Sequence, residues 1–221
     1  GFSESMQGNP QAGLQLLRES LSLFRQIGDR WGEAYVLSSL GDLIVNPADV
    51  QALRSEIEGG LALWRELGDT WGIGHQLVTT SSLAWYDGDY ATAFEHGQEA
   101  VELLRQHSDK WGLARSLARL GYAALYLGDV HQARVHFTES LSLWQEIGNL
   151  RGILYALIGL AGVLAQAGQL NRAARLFGAV NALTGGLPLF ESGIDRVRYD
   201  RTLALARDRM PLQEWEMAYH A

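Results

Sequence analysis

The sequence predicts an all-α protein built as a solenoid, in which helical units stack one against the next. A Trp-Gly pair begins at residues 31, 71 and 111, and Arg151-Gly152 follows at the same 40-residue interval. Each anchor comes just after a Gly-Asp pair or a close variant, and another such pair comes 17 residues later. A fixed period of roughly 20 to 50 residues is typical of repeat proteins, whose units bury their apolar faces only against their neighbours.

Each unit is predicted to contain two helices, which we call helix A and helix B. The apolar and small residues of helix A form a stripe with the spacing i, i+3, i+4 and i+7 of an amphipathic helix. The stripe consists of Leu37, Leu40, Gly41 and Ile44 in one unit and of Leu117, Leu120, Gly121 and Ala124 in another. Helix B has its own stripe, formed in one unit by Ala133, Phe137, Ser140, Leu141 and Trp144. The pattern therefore predicts a stack of helical pairs.

The turns between the helices are predicted from the Gly-Asp pairs. Gly88 and Gly128 can adopt the left-handed conformation that ends a helix, and the aspartate after each one can cap the next helix. Ala48-Asp49 stands at the equivalent position of the first complete unit. The prolines at residues 10, 47, 188 and 211 all lie at or beside a predicted turn or helix start, so none contradicts a predicted helix.

The repeats divide the chain into an array over residues 1–183 and a C-terminal loop and helical cap over residues 184–221. The array consists of a partial unit, residues 1–30, and the units 31–70, 71–110, 111–150 and 151–183. The turn at Gly8-Asn9-Pro10 leaves too few residues before it for a helix A, so we expect the chain to be part of a longer protein. Beyond the array, helices are predicted near residues 194–209 and from residue 211.

Composition and charge argue against several classes of function. The 221 residues are 47% hydrophobic and 19% charged, as in a folded chain, and a net charge of -7 provides no basic surface for nucleic acid. The absence of cysteine excludes disulfides and thiolate metal sites. No signal peptide is visible, and Gly168 breaks the uncharged stretch 152–171 at a turn position, which indicates a buried helix and loop rather than a membrane span. We therefore expect a cytoplasmic protein with no membrane partner.

The order of large and small residues within the units resembles the tetratricopeptide repeat. The residues that carry this pattern are Leu117, Leu120 and Gly121 in helix A, and Ala133, Phe137 and Ser140 in helix B. The resemblance covers roughly residues 8–183, in a long variety with 40 rather than about 34 residues per unit. It implies a right-handed superhelix of stacked antiparallel helix pairs, with a concave groove lined by the helices A.

The C-terminal end carries a second resemblance, to the end of large bacterial STAND-type signalling ATPases that regulate transcription. It rests on Ala-Ala-Arg-Leu-Phe-Gly-Ala at residues 173–179, on Tyr199-Asp200-Arg201, on Trp215 and on the Gly-Asp-x-Trp-Gly repeats. In that family, repeats that sense a ligand or partner follow a nucleotide-binding module, so the resemblance implies the sensor part of a regulator. The ATPase itself does not lie here, because the only lysine, Lys110, precedes Trp111 and forms no Walker loop.

The exposed face of helix A is the predicted binding site, because this helix lines the groove of such arrays. By spacing, that face carries Tyr35, Ser38, Asp42, Asn46, His75, Ser82, Trp85, Tyr86, Arg115, Tyr122, Tyr126, Tyr155 and Gln166. Six of these residues are aromatic, and Tyr, Trp and Arg supply much of the binding energy at interfaces. The prediction is a groove for a protein or peptide, and the alternative is that some of these side chains pack between adjacent helices.

Other conspicuous residues have structural interpretations. Trp31, Trp71 and Trp111 are expected to pack against aromatic residues of neighbouring helices. The pairs His96 with Glu99 and His136 with Glu139 are interpreted as a solvated convex face rather than a metal site. Arginines at residues 196, 198, 201, 207 and 209 alternate with aspartates at 195, 200 and 208, which predicts a salt-bridged surface helix rather than a phosphate site.

Three functions remain open, and none is enzymatic, because no residue set offers a nucleophile, a base and an oxyanion site together. The first is a non-catalytic scaffold that binds a protein or peptide and serves as the regulatory sensor of a larger signalling protein. The second is sensing of a small-molecule inducer, held by aromatic side chains with His75 or Arg115. The third is self-association through the open ends of the array. No cofactor and no metal is expected.

Overall fold

The structure is a computed structural model, and it describes residues 10–41, 47–184 and 193–221. These ranges contain eleven helices and no strand, so the all-α prediction is confirmed. The helices are α1 (Pro10–Ile27), α2 (Arg30–Leu40), α3 (Pro47–Leu67), α4 (Thr70–Asp87), α5 (Tyr90–Gln106), α6 (Lys110–Leu127), α7 (Val130–Ile147), α8 (Leu150–Gln166), α9 (Leu170–Thr184), α10 (Gly193–Arg207) and α11 (Leu212–Tyr219).

The helices pack in a repeated order. From α1 to α9 each helix contacts the next one, and α2, α4, α6 and α8 also contact one another in sequence. These four are the predicted helices A, and they form one continuous layer. The helices B, which are α1, α3, α5, α7 and α9, pack against that layer. Buried apolar residues accordingly fall into several clusters between neighbouring helices, as expected where each unit packs only on its neighbours.

The short turns between helices follow the predicted chemistry. Gly88 and Gly128 have φ values of 86° and 88°, in the left-handed region that glycine adopts without a steric cost. Asp89 and Asp129 each accept a backbone N–H from the first turn of the following helix. The turn predictions are therefore confirmed at both places. One turn between units has serine in place of glycine, and Ser108 adopts the left-handed conformation there with a φ of 55°.

The aspartates before the second and third Trp-Gly pairs each have two roles in the array. Oδ1 of Asp69 accepts the N–H of Gly72 at 2.9 Å and so caps its own helix. Oδ2 of the same carboxylate accepts the indole N–H of Trp31, from the preceding unit, at 3.0 Å. Asp109 repeats both contacts with Gly112 and Trp71. One carboxylate thus caps a helix and ties it to the unit before, which explains why Trp and Asp recur together.

At three of the four anchors, the glycine lets an aromatic ring of the preceding helix B lie against the backbone, as Gly32 does for Phe24. A Cβ on Gly72 would lie 2.3 Å from Trp64, and a Cβ on Gly152 would lie 2.2 Å from Trp144. These rings also meet the anchor tryptophans edge-on, with centroids 5.5 Å apart for Trp31 and Trp64. The expected packing between repeats is confirmed for this pair, although Trp31 keeps 47% of its surface exposed.

The first complete unit differs from the predicted register. Helix α2 ends at Leu40, and α3 begins at Pro47, so Ala48-Asp49 lies inside a helix and not at the predicted turn. Asp49 falls in the first turn of α3, where a carboxylate is favourable beside the helix N-terminus. Ala48 replaces the glycine that adopts the left-handed turn in other units, and proline is well suited to begin a helix. Ile44, the last residue of the predicted stripe, lies outside the described residues.

The C-terminal helix α10 lies against the layer of helices A. It contacts α4 and α8, and its Ile194 belongs to a buried cluster that includes Leu40 and Leu83. The prediction of a surface helix is correct only for its outer side, where Arg196 and Asp200 form an exposed ion pair at 3.0 Å. On the inner side Arg198 keeps only 2% of its surface exposed. Periodicity could not reveal this burial, because α10 has no equivalent in the other units.

The predicted buried helix and loop at residues 152–171 appear as α8, a turn at Gly168 and the start of α9. In the described part of the chain, no helix combines the length and apolarity that are needed to cross a membrane.

Candidate binding site

The predicted groove residues that the structure describes belong to the helices A, and we call the side of these helices that carries them the A face. This face has two parts. The C-terminal halves of α4 and α6 meet α10, and we call this part the covered half. A cleft of about 260 Å³ lies between α2, the N-terminal parts of α4 and α6, and Trp64 of α3, and we call it the open cleft. The two parts differ in the exposure of their predicted aromatic residues, since Tyr35 in the open cleft is 43% exposed and Tyr122 in the covered half only 2%.

The covered half consists of aromatic rings that hold arginine side chains of α10. Trp85 and Tyr122 keep 1% and 2% of their surfaces exposed. The guanidinium of Arg198 lies 4.6 Å from the ring centroid of Trp85 and 5.1 Å from that of Tyr122. The guanidinium of Arg201 lies 5.1 Å from the Trp85 ring. These distances are within the range of cation–π attraction, which is stronger in a desolvated site.

A buried ion cluster joins α10 to α6. Arg119 Nη1 donates to Asp195 Oδ1 at 2.7 Å, and Arg198 Nη1 donates to the same oxygen. Burial alone would raise the pKa of Asp195, but Arg119 and Arg198 outweigh it and hold that pKa below its usual value. Burial and the nearby Arg119 lower the pKa of Arg198 to about 10, so it is still a cation at neutral pH. The cluster therefore carries two positive charges and one negative charge.

The open cleft is lined by aromatic, hydroxyl and charged side chains from four helices and one turn. They are Tyr35, Ser38 and Ser39 of α2, Trp64 of α3, Trp71, His75 and Thr79 of α4, Asp109 from the turn before α6, and Trp111 and Arg115 of α6. Tyr35 and Trp111 are each 43% exposed and offer accessible ring surface. The Arg115 guanidinium lies 5.3 Å from the Trp111 ring centroid.

One wall of the open cleft is organised by Asp109. Its Oδ2 lies 2.7 Å from His75 Nε2 and accepts the indole N–H of Trp71 at 2.9 Å. Burial would raise the pKa of Asp109, but hydrogen bonds from Gly112, His75 and Trp71 outweigh it and lower the pKa. The ionised carboxylate has no proton to give, so His75 Nε2 is the donor of their hydrogen bond. These bonds hold the Trp71 and His75 rings, whose centroids are 4.4 Å apart, in one orientation.

Four of the predicted site residues line the open cleft. They are Tyr35, Ser38, His75 and Arg115. The hydroxyl of Ser38 is nevertheless occupied within the array, because it accepts the indole N–H of Trp64 at 2.8 Å and donates to Gln76 Oε1 at 2.6 Å. The cleft residues that the sequence analysis did not assign to the site are Ser39, Trp64, Trp71, Thr79, Asp109 and Trp111. For Asp109, the joint recurrence of Trp and Asp in the sequence is the signal for its contact with Trp71.

The remaining predicted residues that the structure describes do not line the open cleft. Trp85, Tyr86, Tyr122 and Tyr126 belong to the covered half. The Tyr155 backbone carbonyl accepts the Tyr122 hydroxyl at 3.2 Å, whereas the hydroxyl of Ser82 bonds to Val78 within its own helix. Gln166 is the last residue of α8. Asp42 and Asn46 lie outside the described residues.

Within the described ranges, no three His, Cys, Asp or Glu side chains are arranged to hold a metal ion. His96 and His136 are half-buried rather than fully solvated, and burial lowers the pKa of both imidazoles. Their glutamate neighbours pair instead with arginines of the preceding helix B, Glu99 with Arg65 at 3.6 Å and Glu139 with Arg105 at 2.7 Å. These pairs link the helices B across successive units.

The sequence matches no model of a known protein family, and it matches no curated protein. The geometry of the A face is therefore the basis on which a function is assigned.

Proposed function

We propose that this chain is a non-catalytic binding module that holds a segment of a partner protein in the open cleft of the A face. The observation that carries this proposal is the pairing of an accessible aromatic cleft with a neighbouring half that already holds a protein segment, α10. Tyr35 and Trp111 present their rings to solvent, and the Arg115 guanidinium lies beside the Trp111 ring. Aromatic and arginine side chains at the centre of an interface supply most of the binding energy.

The same proposal includes a finer architecture. We assign the array to a tetratricopeptide-like solenoid of antiparallel helix pairs, wound right-handed, with the A face on its concave side. It is supported by the short capped turns and by the contacts between successive helices A. We further assign it to the cytoplasmic sensor part of a larger bacterial signalling ATPase that regulates transcription. That assignment rests on the resemblance of the repeats and of residues 173–215.

The cleft favours a segment that combines an apolar or aromatic side chain with a carboxylate. A cationic group is a poor match, because the Trp111 ring already has the Arg115 guanidinium over it. Asp109 is also a poor counter-ion, since its oxygens accept the backbone N–H of Gly112 and the Trp71 and His75 donors. A carboxylate is suited to this site, because a guanidinium has five N–H donors and can bind a further acceptor beside its existing contacts.

The proposal is tested by selecting peptides from a random library against the intact chain and measuring their affinity for variants of the cleft. We expect Tyr35→Ala and Arg115→Gln to weaken the selected peptides about 30-fold, because truncation at an interface hot spot costs about 2 kcal/mol. The control is Leu23→Ala on α1, whose side chain is 60% exposed outside the cleft. Peptides that bind both cleft variants as tightly as the wild type, or failure to select any peptide, would overturn the proposal.

The size of the cleft favours a second candidate function, which is the sensing of a small molecule. Its volume of about 260 Å³ lies just below the range of roughly 300–1,000 Å³ that is typical of small-molecule sites. A panel of aromatic carboxylates, tested by thermal unfolding, should raise the stability by about 2.7 kcal/mol at a hundredfold excess over Kd. The Arg115→Gln variant should lose that shift. If no compound in the panel raises the stability while selected peptides bind the cleft, the ligand is a protein segment and not a small molecule.

A further inference from the structure

The contact between α10 and the covered half combines apolar packing by Val197 and Leu205 with buried charged groups. Its centre is the buried cluster of Arg119, Asp195 and Arg198, in which two guanidinium groups share one carboxylate. Removing charged groups from water is unfavourable, and their attraction in the protein interior often only balances that cost. The directional bonds of the cluster therefore fix the position at which α10 docks. They contribute less to the stability of the docked state.

Several polar atoms at this contact have no hydrogen-bond partner among the described residues. They are Nε1 of Trp85, Nε of Arg119 and Nε of Arg198. Most buried polar atoms in folded proteins are hydrogen-bonded, and each exception reduces the stability of the contact that buries it. The docked α10 thus leaves uncompensated donors on both sides of its interface.

We propose that the covered half is a second binding surface, and that a helix from a partner protein occupies it by displacing α10. This surface is separate from the open cleft and does not depend on the function proposed for that cleft. The two observations that carry the proposal are the polar, incompletely satisfied contact and the fact that a helix is already seated on it. Segments that take part in switching belong to the less stable parts of a structure.

The chemistry of the covered half defines the partner helix. Arg119 requires a carboxylate, and the ring faces of Trp85 and Tyr122 require a guanidinium. In α10 these groups are Asp195 and Arg198, three residues apart and therefore on one side of a helix. A partner helix with the same Asp-x-x-Arg pattern fits the surface. It displaces α10 when it also supplies an acceptor to the Trp85 indole N–H, which α10 does not.

The shape of the surface restricts the next turn of the partner helix. In α10 this turn carries Thr202, which is fully buried and follows Arg198 by four residues. Its methyl carbon lies only 2.6 Å from the position that a Cβ on Gly162 of α8 would occupy. The partner helix therefore needs a residue no larger than threonine four positions after its arginine.

The experiment uses a fluorescent peptide with the sequence of α10, residues 193–207, as the stand-in for the partner helix. It is titrated into the full chain and into the full-length Asp195→Asn variant, whose own α10 is weakened. We expect the variant to bind the peptide at least tenfold more tightly than the wild type, because the internal competitor no longer fills the site. The control is Asp200→Asn, which alters the exposed Arg196 pair and should behave like the wild type.

The specificity of binding is checked with a second peptide that itself carries the Asp195→Asn change. It should bind the variant chain at least tenfold more weakly than the unmodified peptide does. Equal affinity of the two peptides, or no binding of the unmodified peptide to the variant, would overturn the proposal. A stable dimer of the variant, detected by its mass in solution, would also overturn it, since the surface would then pair with a second copy.

Hydrogen exchange on the wild-type chain provides a second test, which does not require the Asp195→Asn variant to fold. The amides of α10 should exchange as a group at least tenfold faster than those of α6, which lies beneath it. Protection of α10 equal to that of α6 would show a permanently docked helix and refute displacement.

Discussion

Replacing Gly72 by alanine tests whether the array depends on rings that lie against glycine backbone. A Cβ at this position would lie 2.3 Å from Cδ2 and Cε3 of Trp64, whereas non-bonded carbons prefer about 3.5–4.0 Å. The Trp64 ring is fully buried, and its Nε1 donates to Ser38 Oγ at 2.8 Å. The ring therefore cannot move away without losing packing and that hydrogen bond.

The size of the effect follows from these contacts. Overpacking a well-packed site costs about 1–3 kcal/mol, and loss of the indole hydrogen bond adds about 1 kcal/mol. The better helix propensity of alanine offsets about 0.5–1 kcal/mol of this. We therefore expect Gly72→Ala to lower the free energy of unfolding by about 1–3 kcal/mol, which lowers Tm by roughly 3–10 °C for a chain of this size.

The assay is thermal and urea unfolding followed by far-ultraviolet circular dichroism, with Gly59→Ala as the matched control. Gly59 also lies in a helix, α3, but no heavy atom comes within 4 Å of the position that its Cβ would occupy. The control should therefore be more stable than the wild type by about 0.5–1 kcal/mol. If Gly72→Ala were as stable as the wild type while the control gained stability, the reasoning about ring packing would be refuted.

Three further predictions concern a turn, the cleft wall and the docking of α10. Ser108→Gly should stabilise the chain by about 0.5–1 kcal/mol in a thermal melt, because a serine at φ 55° carries a cost that glycine avoids; a lower Tm would contradict this. Asp109→Asn keeps an oxygen for the cap but loses the second acceptor, so urea unfolding should show a loss of about 1–2 kcal/mol. Asp89→Asn, at an exposed cap, should lose less than half as much, and equal losses would be evidence against the double role. The folded-state pKa of Asp195 is depressed, so its contribution is present above its unfolded pKa of about 3.9 and is lost as pH falls through the folded value. The stability gap between wild type and Asp195→Asn should therefore narrow below about pH 4, and a constant gap down to about pH 3 would contradict this.

Much of the array was predictable because its determinants are local. The turn at Gly128-Asp129 depends on a left-handed glycine and an aspartate cap, both of which depend on neighbouring residues in the chain. The wrong prediction at Ala48-Asp49 has an equally local origin, since Ala48 stands where the other units have a glycine in the left-handed conformation. The period also placed Tyr35 and His75 on one face, where they line the same cleft.

The accessibility of the predicted groove residues was not predictable from the period. Tyr35 and Tyr122 were assigned to one exposed face, yet Tyr35 is 43% exposed and Tyr122 only 2%. The difference is caused by α10, whose contact between Asp195 and Arg119 joins residues 76 positions apart. Nothing in a 40-residue period encodes a contact made by a helix outside the repeats.

The sequence by itself determined the helices, most of their turns and the 40-residue register, because apolar stripes, caps and left-handed glycines act over a few residues. Only the tertiary structure decided that α10 covers half of the A face and that Asp109 organises the wall of the other half. Both features depend on side chains meeting from different units or from outside the array. These contacts are set by the packing of the helices, because burial and hydrogen bonding depend on distance in space rather than on distance along the chain.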